Sequence, residues 1–198
     1  SFKELQAKEW VDALTKFELR PDVPITFCGG EPLLHKGFIY IINNLKQEIN
    51  IDILTNLPYK KGLDKFLKEV NPNRIKREAP YPSIRVSYHS EQVGNGEELV
   101  KNVKKFQDKG FSIGIYCVQY PEPKNLQAIT QMQFRCRNEG IDFRIKDYTG
   151  KFKGVDDFGR PFCITYGDYS KYPGCVERTP IANCQCKPSD LIIGPEGN

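Results

Sequence analysis

Apolar positions along the chain switch repeatedly between a helical and a strand-like spacing. From Ala7 to Phe17, the residues Ala7, Trp10, Val11, Leu14 and Phe17 keep the three-four spacing of one helical face. Arg20-Pro21-Asp22 interrupts that stripe, and Val23-Pro24-Ile25-Thr26-Phe27 reads as a short strand stopping at Gly29-Gly30. Phe38, Ile41, Ile42, Leu45 and Ile49 form a second stripe, followed by a strand from Ile51 to Thr55 that ends at Asn56. The alternation continues with a helix on Leu63, Phe66, Leu67 and Val70, then a strand Ile84-Arg85-Val86-Ser87-Tyr88 running into His89. A helix on Leu99, Val103 and Phe106 closes at Gly110, and the stretch Phe111 to Val118 is rich in the β-branched and aromatic residues that strands favour. Leu126, Ile129, Met132 and Cys136 predict a last helix, stopped by Gly140 before a strand from Ile141 to Ile145.

Strands separated by helices, on connections long enough for a crossover, predict an α/β fold with a parallel sheet. Periodicity does not separate an open doubly wound sheet from a barrel, because both bury parallel strands of the same local pattern. After Tyr148 the pattern gives way to a glycine- and charge-rich stretch from Thr149 to Gly159, then to a short, cysteine- and turn-rich remainder. A boundary near Gly150 therefore divides a core, 1–150, from a cysteine-rich extension, 151–198.

Composition narrows the class. The chain has 198 residues, 39% of them hydrophobic, enough for one substantial core. Its net charge of +4 is dispersed among mixed pairs such as Lys3-Glu4 and Lys68-Glu69, which does not point to nucleic acid. No apolar run is long enough to cross a bilayer, and the first residues lack the order of a secretory signal, so a soluble cytoplasmic protein without membrane partners is expected. Seven cysteines, an odd number, fit a disulfide framework poorly. Cys28, Cys117 and Cys136 lie singly in patterned segments and are read as small apolar packing residues. Cys163, Cys175, Cys184 and Cys186 crowd near the C-terminus.

In parallel α/β folds, ligands gather at the carboxyl ends of the strands. The positions of interest are therefore Cys28 to Pro32, Thr55-Asn56, Ser87 with His89, Gln119, and Arg144 with Lys146. Gly29 and Gly30 remove two side chains, letting backbone carbonyls approach a ligand ammonium that Glu31 can also hydrogen-bond, and Pro32 stiffens the exit. Each element also has an ordinary reading: Gly-Gly-Glu-Pro as a tight turn, Thr55-Asn56 as a turn and cap, and His89 as a loop histidine.

Taken in register, these segments resemble the radical S-adenosylmethionine enzymes. Ile25-Thr26-Phe27-Cys28-Gly29-Gly30-Glu31-Pro32-Leu33-Leu34 looks like that family's second-strand motif. Ile53-Leu54-Thr55-Asn56 resembles its third strand, Val86-Ser87-Tyr88-His89 its fourth and Gly140-Ile141-Asp142-Phe143-Arg144 its sixth, over roughly three-quarters of the chain. The resemblance implies a partial (β/α)6 barrel, with the visible strands numbered second to sixth. Gly29, Gly30, Glu31 and Pro32 would form the cofactor turn, the first three holding the methionine amino group. Asn56 and Ser87 would contact the ribose or the methionine carboxylate, with His89 and Arg144 as further contacts. A [4Fe-4S] cluster, held by a CxxxCxxC triad, would accept an electron from a donor such as flavodoxin or ferredoxin. Reductive cleavage of the cofactor would then allow hydrogen abstraction from a peptide or small-molecule substrate. No such triad occurs in these residues, and the resemblance places it upstream of Ser1.

Cys163, Cys175, Cys184 and Cys186 offer four soft ligands, suited to iron-sulfur or zinc. Their irregular spacing matches neither a zinc ribbon nor a ferredoxin run, and pairing or free thiols remain open. The tail Leu191-Ile192-Ile193-Gly194-Pro195-Glu196-Gly197-Asn198 resembles the hairpin of SPASM or twitch extensions, which implies an auxiliary cluster. A non-catalytic α/β protein with a structural zinc or cluster in this segment is the alternative.

Overall fold

The fold is taken from a computed structural model, which describes residues 5–18, 20, 22–57, 62–93, 96–119, 122–148, 150–155 and 158–166. Helix α1, Ala7–Leu14, opens with a capping box in which the Gln6 backbone N–H donates to the Glu9 carboxylate at 2.7 Å. There follow β1 (Ile25–Phe27), α2 (Phe38–Asn44), β2 (Ile51–Thr55), α3 (Leu63–Glu69) and β3 (Ile84–Ser87). The short helix α4 (Ser90–Val93) precedes α5 (Glu97–Asp108), β4 (Ile113–Gln119), α6 (Pro123–Asn138) and β5 (Asp142–Asp147). Gly110 and Gly140, each just past a helix end, adopt φ of 91° and 66°, the left-handed conformation that ends helices and that glycine adopts without strain.

Strands β1 to β5 form one parallel sheet in the order β1-β2-β3-β4-β5. The order never reverses, so this sheet has no switch point of the doubly wound kind. Because all five strands run the same way, their carboxyl ends share one edge.

The two faces of the sheet differ sharply. On one, Ile51, Ile53, Ile84, Val86, Ile113, Ile115 and Cys117 are buried in a single core with Phe38, Ile41, Ile42, Phe66, Val103, Phe106, Ile129, Met132 and Cys136 from the helices. Phe27, Phe38, Phe66, Phe106 and Phe111 run through that core as a chain of rings 5.3 to 6.3 Å apart, a spacing at which aromatic pairs add stability beyond the area they bury. By strand alternation the other face carries Thr26, Asp52, Leu54, Arg85, Ser87, Gly114, Tyr116, Val118, Asp142, Arg144 and Lys146. Neither Leu54 nor Val118 belongs to the helix core, and Thr26, Val118 and Lys146 are exposed. A parallel sheet covered by helices on both sides would be apolar on both, so among the described residues this one is layered by helices on one side only.

Arg74 joins two of these units. From the turn after α3, its guanidinium donates to the carbonyls of Ile42, Leu45, Lys46 and Ile49 at 3.0 to 3.4 Å. It thereby satisfies acceptors at and beyond the C-terminus of α2 that the helix itself leaves open.

Beyond the five-stranded sheet, β6 (Gly150–Val155) and β7 (Pro161–Tyr166) pair antiparallel, where the sequence predicts only turns. Glycine and charge mask a period-two pattern there, with Phe152 opposite Ile164 and Lys153 opposite Cys163. Among the described residues, no helix is long and apolar enough to cross a membrane.

Candidate functional site at the carboxyl edge of the sheet

The turn leaving β1 has a local cause for each residue. Gly29 and Gly30 adopt φ of 82° and 50°, and a Cβ built on either meets nothing within 4 Å. Conformation, not crowding, therefore selects glycine here, and space stands open beside the turn. Glu31 caps the 3-10 turn Pro32–Leu34, its Oε1 accepting from the Leu33 N–H at 3.1 Å, while Pro32 occupies a first-turn position where no N–H is needed.

Glu31 also reaches across to the end of β2. Its Oε1 accepts from the Thr55 hydroxyl at 2.6 Å and its Oε2 from the Asn56 N–H at 2.7 Å. Thr55 Oγ1 in turn accepts from the Leu57 N–H at 2.8 Å. Leu57 is buried and has φ of 50°, a left-handed conformation that costs a bulky residue about 1–3 kcal/mol and persists only where its surroundings enforce it. One carboxylate thus clamps the glycine turn to a strained strand end. Three of its roughly four acceptor positions are occupied, which leaves room for one further donor.

Ser87 ends β3 beside this clamp. Thr55 is in register with Val86, so Asn56 and Ser87 come next on adjacent strands at the same edge. Asn56 is exposed, and Ser87 and His89 are half-buried. Gly29, Gly30, Glu31, Pro32, Asn56, Ser87 and His89 therefore all lie at strand ends along one rim.

Arg144 is not brought to that group. Its guanidinium bonds the Asp142 carboxylate at 3.0 Å and the Pro80 carbonyl, and so turns towards the amino end of the sheet. The exposed Lys146, one turn of the pleat further on, has its Nζ 5.9 Å from the Tyr116 ring centre. Cys28 is exposed beside the glycines, and the packing role expected of it is not met, because Phe27 takes the inward position at that strand end. Cys117 and Cys136 are buried as expected, and burial pushes their thiols up to about 11 and about 12.

Below the rim, the segment from Arg77 to Pro82 crosses the polar face at its amino end. Arg77 holds Asp52 through two bonds at 2.8 and 2.9 Å, and Arg85 adds a third at 3.1 Å. Tyr81 lies against both guanidiniums, 4.8 and 5.2 Å from its ring centre. A Cβ on Gly114 would come within 2.9 Å of Pro82, so glycine is needed there for close approach. The polar face thus has a floor at one end and the rim at the other. Reading the sequence for strand ends missed Asp52, Arg77, Arg85 and Tyr116. The signal was a charged residue flanked by apolar ones in mid-strand, in Ile51-Asp52-Ile53 and Ile84-Arg85-Val86.

Among the described residues, no group of three His, Cys, Asp or Glu is placed to hold a metal ion. Of the candidate C-terminal ligands, Cys163 is exposed on β7, and Cys175, Cys184 and Cys186 lie outside the described residues. In comparisons with known proteins, no family model, no curated protein and no solved structure matches the chain significantly.

Proposed function

We propose that this chain is the cofactor-binding core of a radical S-adenosylmethionine enzyme, its sheet curled into a partial barrel with the polar face inside. The consecutive strand order and the single helix layer support the barrel, since right-handed crossovers in one direction put every helix on the same side. The observation that carries the functional reading is the Glu31 clamp. It holds two left-handed glycines, with open space beside them, against Asn56 and Ser87 at the mouth of the polar face.

In this reading the free acceptor position of Glu31 and the carbonyls of the glycine turn take the methionine ammonium. Asn56 and Ser87 hydrogen-bond the ribose or carboxylate, and His89 borders them. When bound beside a reduced iron-sulfur cluster, S-adenosylmethionine supplies hydrogen-atom abstraction from a peptide or small-molecule substrate. The polar rim offers donors and acceptors suited to the nucleoside, whereas the described residues offer no ligand set for the cluster. Arg144 is engaged with Asp142 and has no assigned contact to the cofactor. An auxiliary cluster on Cys163, Cys175, Cys184 and Cys186 belongs to the same proposal.

The test is anaerobic reconstitution of the full-length gene product with iron and sulfide, followed by reduction in the presence of S-adenosylmethionine. Release of 5′-deoxyadenosine is expected. Uptake of zinc with no cofactor cleavage would instead assign the cysteines a structural metal and remove the radical reaction.

A further inference from the structure

The floor of the polar face carries more positive charge than it neutralises. Arg77 and Arg85 share the single carboxylate of Asp52, whose side chain is 0% exposed against 9% and 19% for the two arginines. Arg144 is matched by Asp142 alone. Among the described residues, Arg77 and Arg85 therefore carry one unit of charge beyond Asp52, whereas the exposed Lys146 stands towards the rim and adds nothing to that part-buried excess. A cation removed from water without a partner is costly, so an excess charge held this way calls for an anion.

Three polar atoms of this face, Arg85 Nε, Tyr116 Oη and Ser83 Oγ, are also buried without a hydrogen-bond partner among the described residues. Tyr116 belongs to the same cluster. Arg144 approaches to 6.0 Å from its ring, and its hydroxyl, whose pKa burial raises, feels the charges of Arg144, Asp142 and Arg85. An unmet buried donor costs about 1–3 kcal/mol, which an incoming acceptor would recover.

We infer that the floor of the polar face is a recognition site for a carboxylate-bearing ligand, its anion taken up between the Arg85 Nε–H and the Tyr116 hydroxyl. Two single donors match the two oxygens of a carboxylate, and the excess of one unit charge matches a monoanion. A phosphate dianion would exceed both. Arg85 is in register with Leu54 and Tyr116 with Ser87, so the site lies just below the Glu31 rim on the same face, and its donors need no cofactor to take up the anion.

The experiment uses the full chain and follows the Arg85 Nε–Hε resonance, assigned through its loss in Arg85→Lys. Sodium acetate is titrated against sodium chloride at matched ionic strength, with inorganic phosphate as a second arm. A saturable shift with acetate is expected, weakened about tenfold or more in Tyr116→Phe, as loss of one hydrogen bond to a charged group requires. The unchanged remainder of the Tyr116→Phe spectrum shows that the variant is folded. A shift reproduced by chloride, a response that never saturates, preference for phosphate, or undiminished acetate binding in Tyr116→Phe would each overturn the assignment.

Discussion

Replacing Glu31 by glutamine changes one atom of the clamp and tests whether it holds the rim together. The amide oxygen can still accept from Thr55 and Leu33, but its NH2 then faces the Asn56 N–H, donor against donor, where the carboxylate accepted at 2.7 Å. Loss of a hydrogen bond to a charged group costs about 1.5–3 kcal/mol, and water can reach the exposed Asn56, so about 1–2 kcal/mol is expected for Glu31→Gln. Thr55→Val removes the hydroxyl that links Glu31 to the N–H of buried Leu57, and should cost about 2–3 kcal/mol. Because both changes act on one network, the double variant should lose less than the sum, with a coupling of about 1 kcal/mol. Urea unfolding at constant slope measures all four corners of the cycle. If Glu31→Gln matches the parent within about 0.3 kcal/mol, or the two losses simply add, the glycine turn is not held by this carboxylate.

Asp52→Ala leaves two half-buried arginines without their counter-charge and should destabilise by about 2–4 kcal/mol, less than a fully buried pair because water reaches both guanidiniums, measured by the same unfolding curves. Arg74→Met strips the carbonyls around the end of α2 of their donors, and a loss of about 2–4 kcal/mol is expected, with faster amide exchange in that last turn. Stability should also fall in alkali. Burial raises the Cys117 and Cys136 thiols from an ordinary 9.0 to about 11 and about 12, so the unfolded chain gives up these protons first as pH rises. Their contribution is complete below pH 9.0 and is lost on the way to about 12; Cys136→Ala should flatten that part of the profile in thermal melts.

The strand-and-helix order was legible because each unit buries one stripe, and a stripe is visible in any sequence that has one. Ile51 to Thr55 was read with its ends in place, and the strand read from Ile84 ends at Ser87, one residue short of Tyr88. The sheet's one-sidedness was not read, although it was written in Asp52 and Arg85. A charge inside an apolar run has meaning only once the neighbouring strand supplies its partner 33 positions away. The rim was legible as a set of strand ends, but the division of labour within it was not. Glu31 was expected to face a ligand, and most of its acceptor capacity goes to Leu33, Thr55 and Asn56. Arg144 sits at a strand end by sequence, and the pull of Asp142 and the Pro80 carbonyl turns its long side chain the other way. The β6–β7 pair escaped because its strands carry lysine and glycine where a buried strand would carry valine or isoleucine.

Hydrogen–deuterium exchange on the reconstituted protein, with and without S-adenosylmethionine, tests the rim as the cofactor site. Slowed exchange is predicted in peptides spanning 28–34, 54–57 and 86–89, with α6 unaffected. Ligand bound at saturation with those three segments unchanged, or with protection confined elsewhere, would contradict the account.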